Sequence, residues 1–101
     1  MKLEDIYRLT DLDKKTLQER ALKLGEESGE LAQAVLSATG APGSAYKKLG
    51  LGDVREEAAD AAIVALSLFS QTCDSEEQFR EELQRLFSQT VTKWEEVLSR
   101  S

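Results

Sequence analysis

From Ala58 to Phe69 the chain reads AADAAIVALSLF, apolar around nearly the whole circumference of a helix and broken only by Asp60 and Ser67. Such a segment belongs at the centre of a structure, with neighbours on several sides, and its alanines let other backbones come close. A chain of 101 residues is one domain's worth, near the lower limit for a self-sufficient core, and has too few other helices to enclose this one. The pattern therefore predicts an all-α helical bundle of three main helices per chain, completed by a second copy as a homodimer or homotetramer. Strands are not expected. β-branched residues are sparse and never alternate over a strand's length, whereas Ala, Leu, Glu, Gln and Lys abound.

Leu17, Ala21, Leu24, Ser28, Leu31, Val35 and Ala38 recur at steps of three and four. That spacing predicts a long helix over about 13–38, capped by Asp11 or Asp13. Gly40, Pro42, Gly43, Ser44, Gly50 and Gly52 make 39–52 a loop. A second helix is expected over about 53–72, opened by Asp53 with Glu56 three residues on. Ser75-Glu76-Glu77-Gln78 gives a similar start to a third over about 75–98, with Phe79, Leu83, Leu86, Thr90, Trp94 and Val97 on one stripe. A short leading helix is expected over 4–9, and the whole reads as a single domain.

Thirteen basic against nineteen acidic residues leave a net charge of −6. The averaged field repels nucleic-acid polymers and anionic membranes, and neither is an expected partner. Histidine is absent, which excludes Ser-His and Cys-His nucleophile pairs, imidazole acid-base catalysis and His-containing metal sites. Cys73 is the single cysteine, so no intrachain disulfide or Cys cluster forms. The opening MKLED does not resemble a signal peptide and no window has the roughly 18 apolar residues of a membrane span, so a cytoplasmic location is expected.

Two acidic motifs carry the chemistry. Glu26-Glu27-Ser28-Gly29-Glu30 lies on the first long helix and Glu56-Glu57-Ala58-Ala59-Asp60 on the second. Glu27 and Glu30, like Glu57 and Asp60, are three apart and share a helix face. Glu56 reads as solvated, whereas Asp60 interrupts an apolar run, where an unpaired buried carboxylate is costly. Gly25 and Gly29 suit either a ligand close to the backbone or tight helix packing. Carboxylates gathered from two helices repel unless a cation sits among them, and an all-oxygen donor set selects Mg²⁺, or Mn²⁺, over zinc. Because Mg²⁺ usually shares its coordination with substrate phosphates, the expected substrate is a phosphate ester or polyphosphate.

KLGEESGELAQAV followed by REEAADAAIVAL resembles the paired signature of the MazG-like, all-α nucleoside triphosphate pyrophosphohydrolases, EExxE, a variable spacer, then ExxD, over roughly residues 17 to 95. The resemblance implies Mg²⁺ ligands at Glu27, Glu30, Glu57 and Asp60. It also implies hydrolysis of (deoxy)nucleoside triphosphates to the monophosphate and pyrophosphate, in house-cleaning of the nucleotide pool. Glu26, about 100° round the helix from Glu27, is the candidate general base or a further metal contact. A lysine in the C-terminal helix of similar proteins reaches substrate phosphates, which implies that role for Lys93. Tyr46 and Lys47, in the Gly/Pro-rich loop, are suited to stacking on a base and contacting phosphate, or Tyr46 to packing on the bundle as part of a plain connection, and Trp94 to stacking or to core or dimer packing. Two other readings stay open: a phosphoribosyl-ATP pyrophosphohydrolase, and a non-catalytic helical module that binds metal or nucleotide.

Overall fold

The computed structural model describes residues 1–100; Ser101 and the side chain of Tyr46 lie outside the described set. The described residues form four helices, α1 (Leu3–Leu12), α2 (Leu17–Ala38), α3 (Leu51–Gln71) and α4 (Glu76–Ser99), and a 3-10 turn at Ala45–Lys47. No strand occurs among the described residues. The fold is all-α, with four helices where the periodicity predicts three main ones and a short leader. None of the helices is long and apolar enough to cross a membrane.

The long first helix starts later than the sequence suggests, because a better cap lies further on. Thr16 Oγ1 accepts from the Glu19 N–H at 3.0 Å while Glu19 Oε1 accepts from the Thr16 N–H at 2.9 Å. This reciprocal box satisfies two free donors at once and displaces Asp11 and Asp13 from the expected role. Asp13 instead ends α1. α2 terminates at Gly40, whose positive φ of 72° directs the Gly40 N–H to Ser37 O and the Ala41 N–H to Leu36 O. α3 begins before Asp53. That carboxylate sits in the first turn and accepts from the Gly50 N–H at 2.8 Å, so Asp53 caps from inside the helix. Ser75 starts α4 as expected, accepting from the Gln78 N–H at 3.0 Å.

α3 is the element on which the others converge, with α2 along its length, α1 beside it and α4 touching it near its C-terminal end. α2 and α3 are antiparallel. Gln71 donates to Lys15 O at 2.9 Å at one end of the pair, and the Leu49 N–H donates to Ser37 Oγ at 3.0 Å at the other. The core of Ile6, Phe79 and Leu83, with Tyr7, Leu66 and Phe69 against it, lies where α1, α3 and α4 meet. Of the apolar stripe on α4 only Phe79 and Leu83 are buried, and every residue from Phe87 to Arg100 is exposed. Ala58, Ala59, Ala62 and Ala65 of α3 are exposed as well, so the central helix is open on one side. The chain presents 7334 Å² of surface, against about 5,700 Å² for a compact monomer of its mass. Its radius of gyration, 16.4 Å, exceeds the roughly 13 Å of a compact domain this size.

Arg20 fixes the angle between α1 and α2. Only 5% exposed, its guanidinium donates to three carbonyls, Asp13 O at 2.5 Å, Thr10 O at 3.1 Å and Lys15 O at 3.2 Å. These include acceptors left free at the C-terminal end of α1. Arg20→Ala is expected to lose about 1–3 kcal/mol of stability in urea unfolding, because the buried Thr10 carbonyl and the partly buried Asp13 carbonyl lose a charged donor; an unchanged midpoint would contradict this role.

Candidate functional site

The antiparallel register of α2 and α3 brings the two acidic motifs face to face. Glu27, Glu57 and Asp60 offer carboxylate oxygens that lie within 4.8 Å of one another, and Glu26, Glu27 and Glu30 do the same, so Glu27 belongs to both groups. All five acids singled out from the sequence therefore gather at one seam. Glu56 stays exposed on the outer face of α3. The buried member is Glu27, at 7% exposure, and not Asp60, which is exposed at the edge of the seam. The apolar run around Asp60 misleads because α3 is covered on only some of its sides.

Glu27 Oε2 and Glu57 Oε2 are both buried with no hydrogen-bond partner. Buried carboxylate oxygens are costly to leave unpaired, and a hard divalent ion would satisfy them. The donor set, oxygen only and drawn from two rigid helices, fits Mg²⁺ or Mn²⁺. Loss of water pushes the Glu57 carboxyl above its ordinary pKa, reinforced by the negative charges of Glu30, Asp60 and Glu27.

One cation already touches the cluster. Lys23 Nζ lies 3.1 Å from Glu27 Oε1 and 3.5 Å from Glu26 Oε1. Its hydrogen bond to Glu27 and the charge of Glu26 hold the ammonium above its usual pKa. The signal for Lys23 in the sequence is its place four residues before Glu27 on one helix, an ion-pair spacing.

The other candidates are not brought to this seam within one chain. Lys93 and Trp94 lie on the exposed far half of α4, which does not pack on α2, and Trp94 is 67% exposed. Lys47 is exposed in the 3-10 turn, in a loop tied to α2 by Gln33 Nε2 donating to Ser44 Oγ at 3.3 Å and by the Leu49 bond to Ser37. The Tyr46 side chain falls outside the described residues. A Cβ built on Gly25 or Gly29 would meet no atom within 4 Å, so intrachain packing does not require either glycine.

No protein-family model, curated protein or solved structure matches the chain.

The cluster has a pH signature. Glu57 holds its proton in the folded chain above the pH at which the unfolded chain releases it. Its contribution to stability is therefore full below the ordinary glutamate pKa and is lost as pH rises through the elevated folded value. Glu57→Gln is expected to raise the melting temperature of the metal-free protein at pH 7 by a few degrees and to have little effect near pH 4. A fall at pH 7 on thermal denaturation would contradict the repulsion.

Proposed function

We propose that this chain is a Mg²⁺-dependent nucleoside triphosphate pyrophosphohydrolase of the MazG-like kind, converting (deoxy)nucleoside triphosphates to monophosphate and pyrophosphate in upkeep of the nucleotide pool. The observation that supports it most is the convergence of Glu27, Glu57 and Asp60 with two buried, unpartnered carboxylate oxygens. Glu27, Glu30, Glu57 and Asp60 are the residues that would hold the ion. When bound, the ion supplies neutralisation of the triphosphate charge that the acids alone would repel. Glu26, exposed at the rim of the cluster and paired through Oε1 with Lys23 at 3.5 Å, is the candidate to orient a water and take its proton. The water oxygen then forms a bond to the α-phosphorus as the bond to the α–β bridging oxygen breaks, and pyrophosphate leaves.

The same reading includes a second copy. The surface in excess of a compact monomer is roughly 1,600 Å² per chain, within the range of obligate dimer interfaces. The apolar far half of α4, with Phe87, Val91 and Trp94, and the bare alanine face of α3 are the surfaces available to supply it. Lys93 and Trp94 then serve a site from a neighbouring subunit, as a dimer or a tetramer. Trp94→Glu, exposed in the protomer, is expected to leave helicity intact and shift the protein to monomer in sedimentation equilibrium; a monomeric wild type would overturn this part.

A panel of deoxynucleoside and nucleoside triphosphates together with phosphoribosyl-ATP, assayed with and without Mg²⁺ by phosphate release coupled to a pyrophosphatase, tests the activity. Expected is Mg²⁺-dependent pyrophosphate from the nucleoside triphosphates. Asp60→Asn is expected to cut turnover on the order of 100-fold or more while keeping the fold, because it removes a ligand from a repelling cluster. Glu56→Gln should be nearly silent, and Glu26→Gln should slow chemistry more than it weakens metal binding. Binding without turnover would favour a non-catalytic module, and wild-type turnover in Asp60→Asn would refute the site.

A further inference from the structure

α1 lies along α3 without packing along α2. Between them runs a groove of about 600 Å³, lined by Ile6 and Leu9 of α1, Lys23 of α2 and Ile63 and Val64 of α3. That volume falls within the roughly 300–1,000 Å³ of small-molecule sites. Ile63 and Val64 follow Asp60 by three and four residues, and Lys23 precedes Glu27 by four. Because α2 and α3 are antiparallel, both displacements run one helical turn from the carboxylates in the same direction. The groove therefore opens onto the acidic cluster, with Lys23 belonging to both.

The polar groups bordering this groove are engaged by the protein itself. Thr10 and Ser67 pair through their hydroxyls at 2.8 Å, Asp13 pairs with Lys15 at 3.2 Å, and Asp5 accepts from the Lys2 N–H at 2.9 Å and from Arg8 at 3.3 Å. Arg20 is taken up by its three carbonyls. Sites that discriminate strongly do so by offering buried donors and acceptors that only one ligand satisfies. Here the walls offer aliphatic surface instead.

We infer that the groove takes the nucleoside end of the triphosphate without selecting among bases, and that Lys23 at its inner end contacts the phosphate tail as the tail passes to the carboxylates. This rests on the pyrophosphohydrolase reading and adds an orientation, a substrate contact and a permissive base specificity. Lys23 has two competing attractions. Its ammonium neutralises Glu26 and Glu27 when the site is empty, and its flexible stem lets it turn to a phosphate when a divalent ion takes over those charges.

The test uses calorimetric titration of the purified protein with Mg²⁺ alone, and then, at saturating Mg²⁺, with inorganic tripolyphosphate and with α,β-imido deoxynucleoside triphosphates of four bases. Wild type is expected to bind all four analogues within about ten-fold of one another and more tightly than tripolyphosphate. Lys23→Gln is expected to bind Mg²⁺ several-fold more tightly and tripolyphosphate several-fold more weakly, with Lys23→Arg restoring the second. Ile63→Trp and, as an independent filling of the groove, Leu9→Trp are each expected to lower nucleotide affinity at least ten-fold and leave tripolyphosphate binding unchanged. If Lys23→Gln weakens Mg²⁺ and tripolyphosphate together, the lysine merely props Glu27, and its assignment as a tail contact is overturned. A base preference above 100-fold overturns the permissive groove. Loss of oligomerisation in both tryptophan variants shows that the groove receives a second copy instead. Failure of wild type to bind tripolyphosphate with Mg²⁺ defeats the pyrophosphohydrolase reading itself, whereas tripolyphosphate binding with no gain from the nucleoside defeats only the groove assignment.

Discussion

Like charges held together at the seam of two antiparallel helices are the constraint around which this structure is organised. Glu26, Glu27 and Glu30 of α2 meet Glu57 and Asp60 of α3 because Gln71 is tied to Lys15 at one end of the pair and Leu49 to Ser37 at the other. A displacement of one residue along either helix would turn its carboxylates about 100° away. Within the chain, loss of water together with the repulsion pushes Glu57 toward its protonated form. Lys23 answers part of it, while Glu27 Oε2 and Glu57 Oε2 remain buried without partners. Helix packing thus holds the charge arrangement on which the proposed cation site rests, and a cation bound there would add to stability.

The division of labour along α3 follows from that arrangement. Its C-terminal half joins the aromatic contacts, with Phe69 edge-on to Phe79 at 6.0 Å and to Phe87 at 6.5 Å. Its N-terminal half carries Glu57 and Asp60 against α2. The apolar core therefore lies away from the carboxylates, and α1, fastened by Arg20 and by the Thr10–Ser67 bond, spans the region between. A small chain that puts much of its apolar surface outside has little internal reserve. This is why the open alanine face and the bare far half of α4 fit the proposed second copy.

Much of this was legible in the sequence. The three-four periodicity from Leu17 to Ala38 marks a helix because burial of one face demands it, and the three-residue spacing within each acidic motif places its members on one face. What the sequence hides depends on contacts between distant residues. The start of α2 was obscured because Asp11 and Asp13 are good caps in isolation, whereas Thr16 and Glu19 satisfy two donors together. Asp60 reads as buried from its apolar neighbours, yet burial falls on Glu27, because coverage depends on which sides of α3 the other helices occupy. The stripe on α4 is apolar from Phe79 to Val97, but only Phe79 and Leu83 are buried within the chain and Phe87, edge-on to Phe69, is already half exposed. Periodicity says that a face needs covering and does not say which chain covers it.

The most direct measurement is anomalous diffraction from crystals grown with Mn²⁺, which replaces Mg²⁺ at hard oxygen sites and reports its own position. The account predicts a strong anomalous peak at the α2–α3 seam, coordinated by oxygens of Glu27, Glu57 and Asp60. A map with no peak there at saturating Mn²⁺, or with peaks only at scattered surface acids, would contradict it.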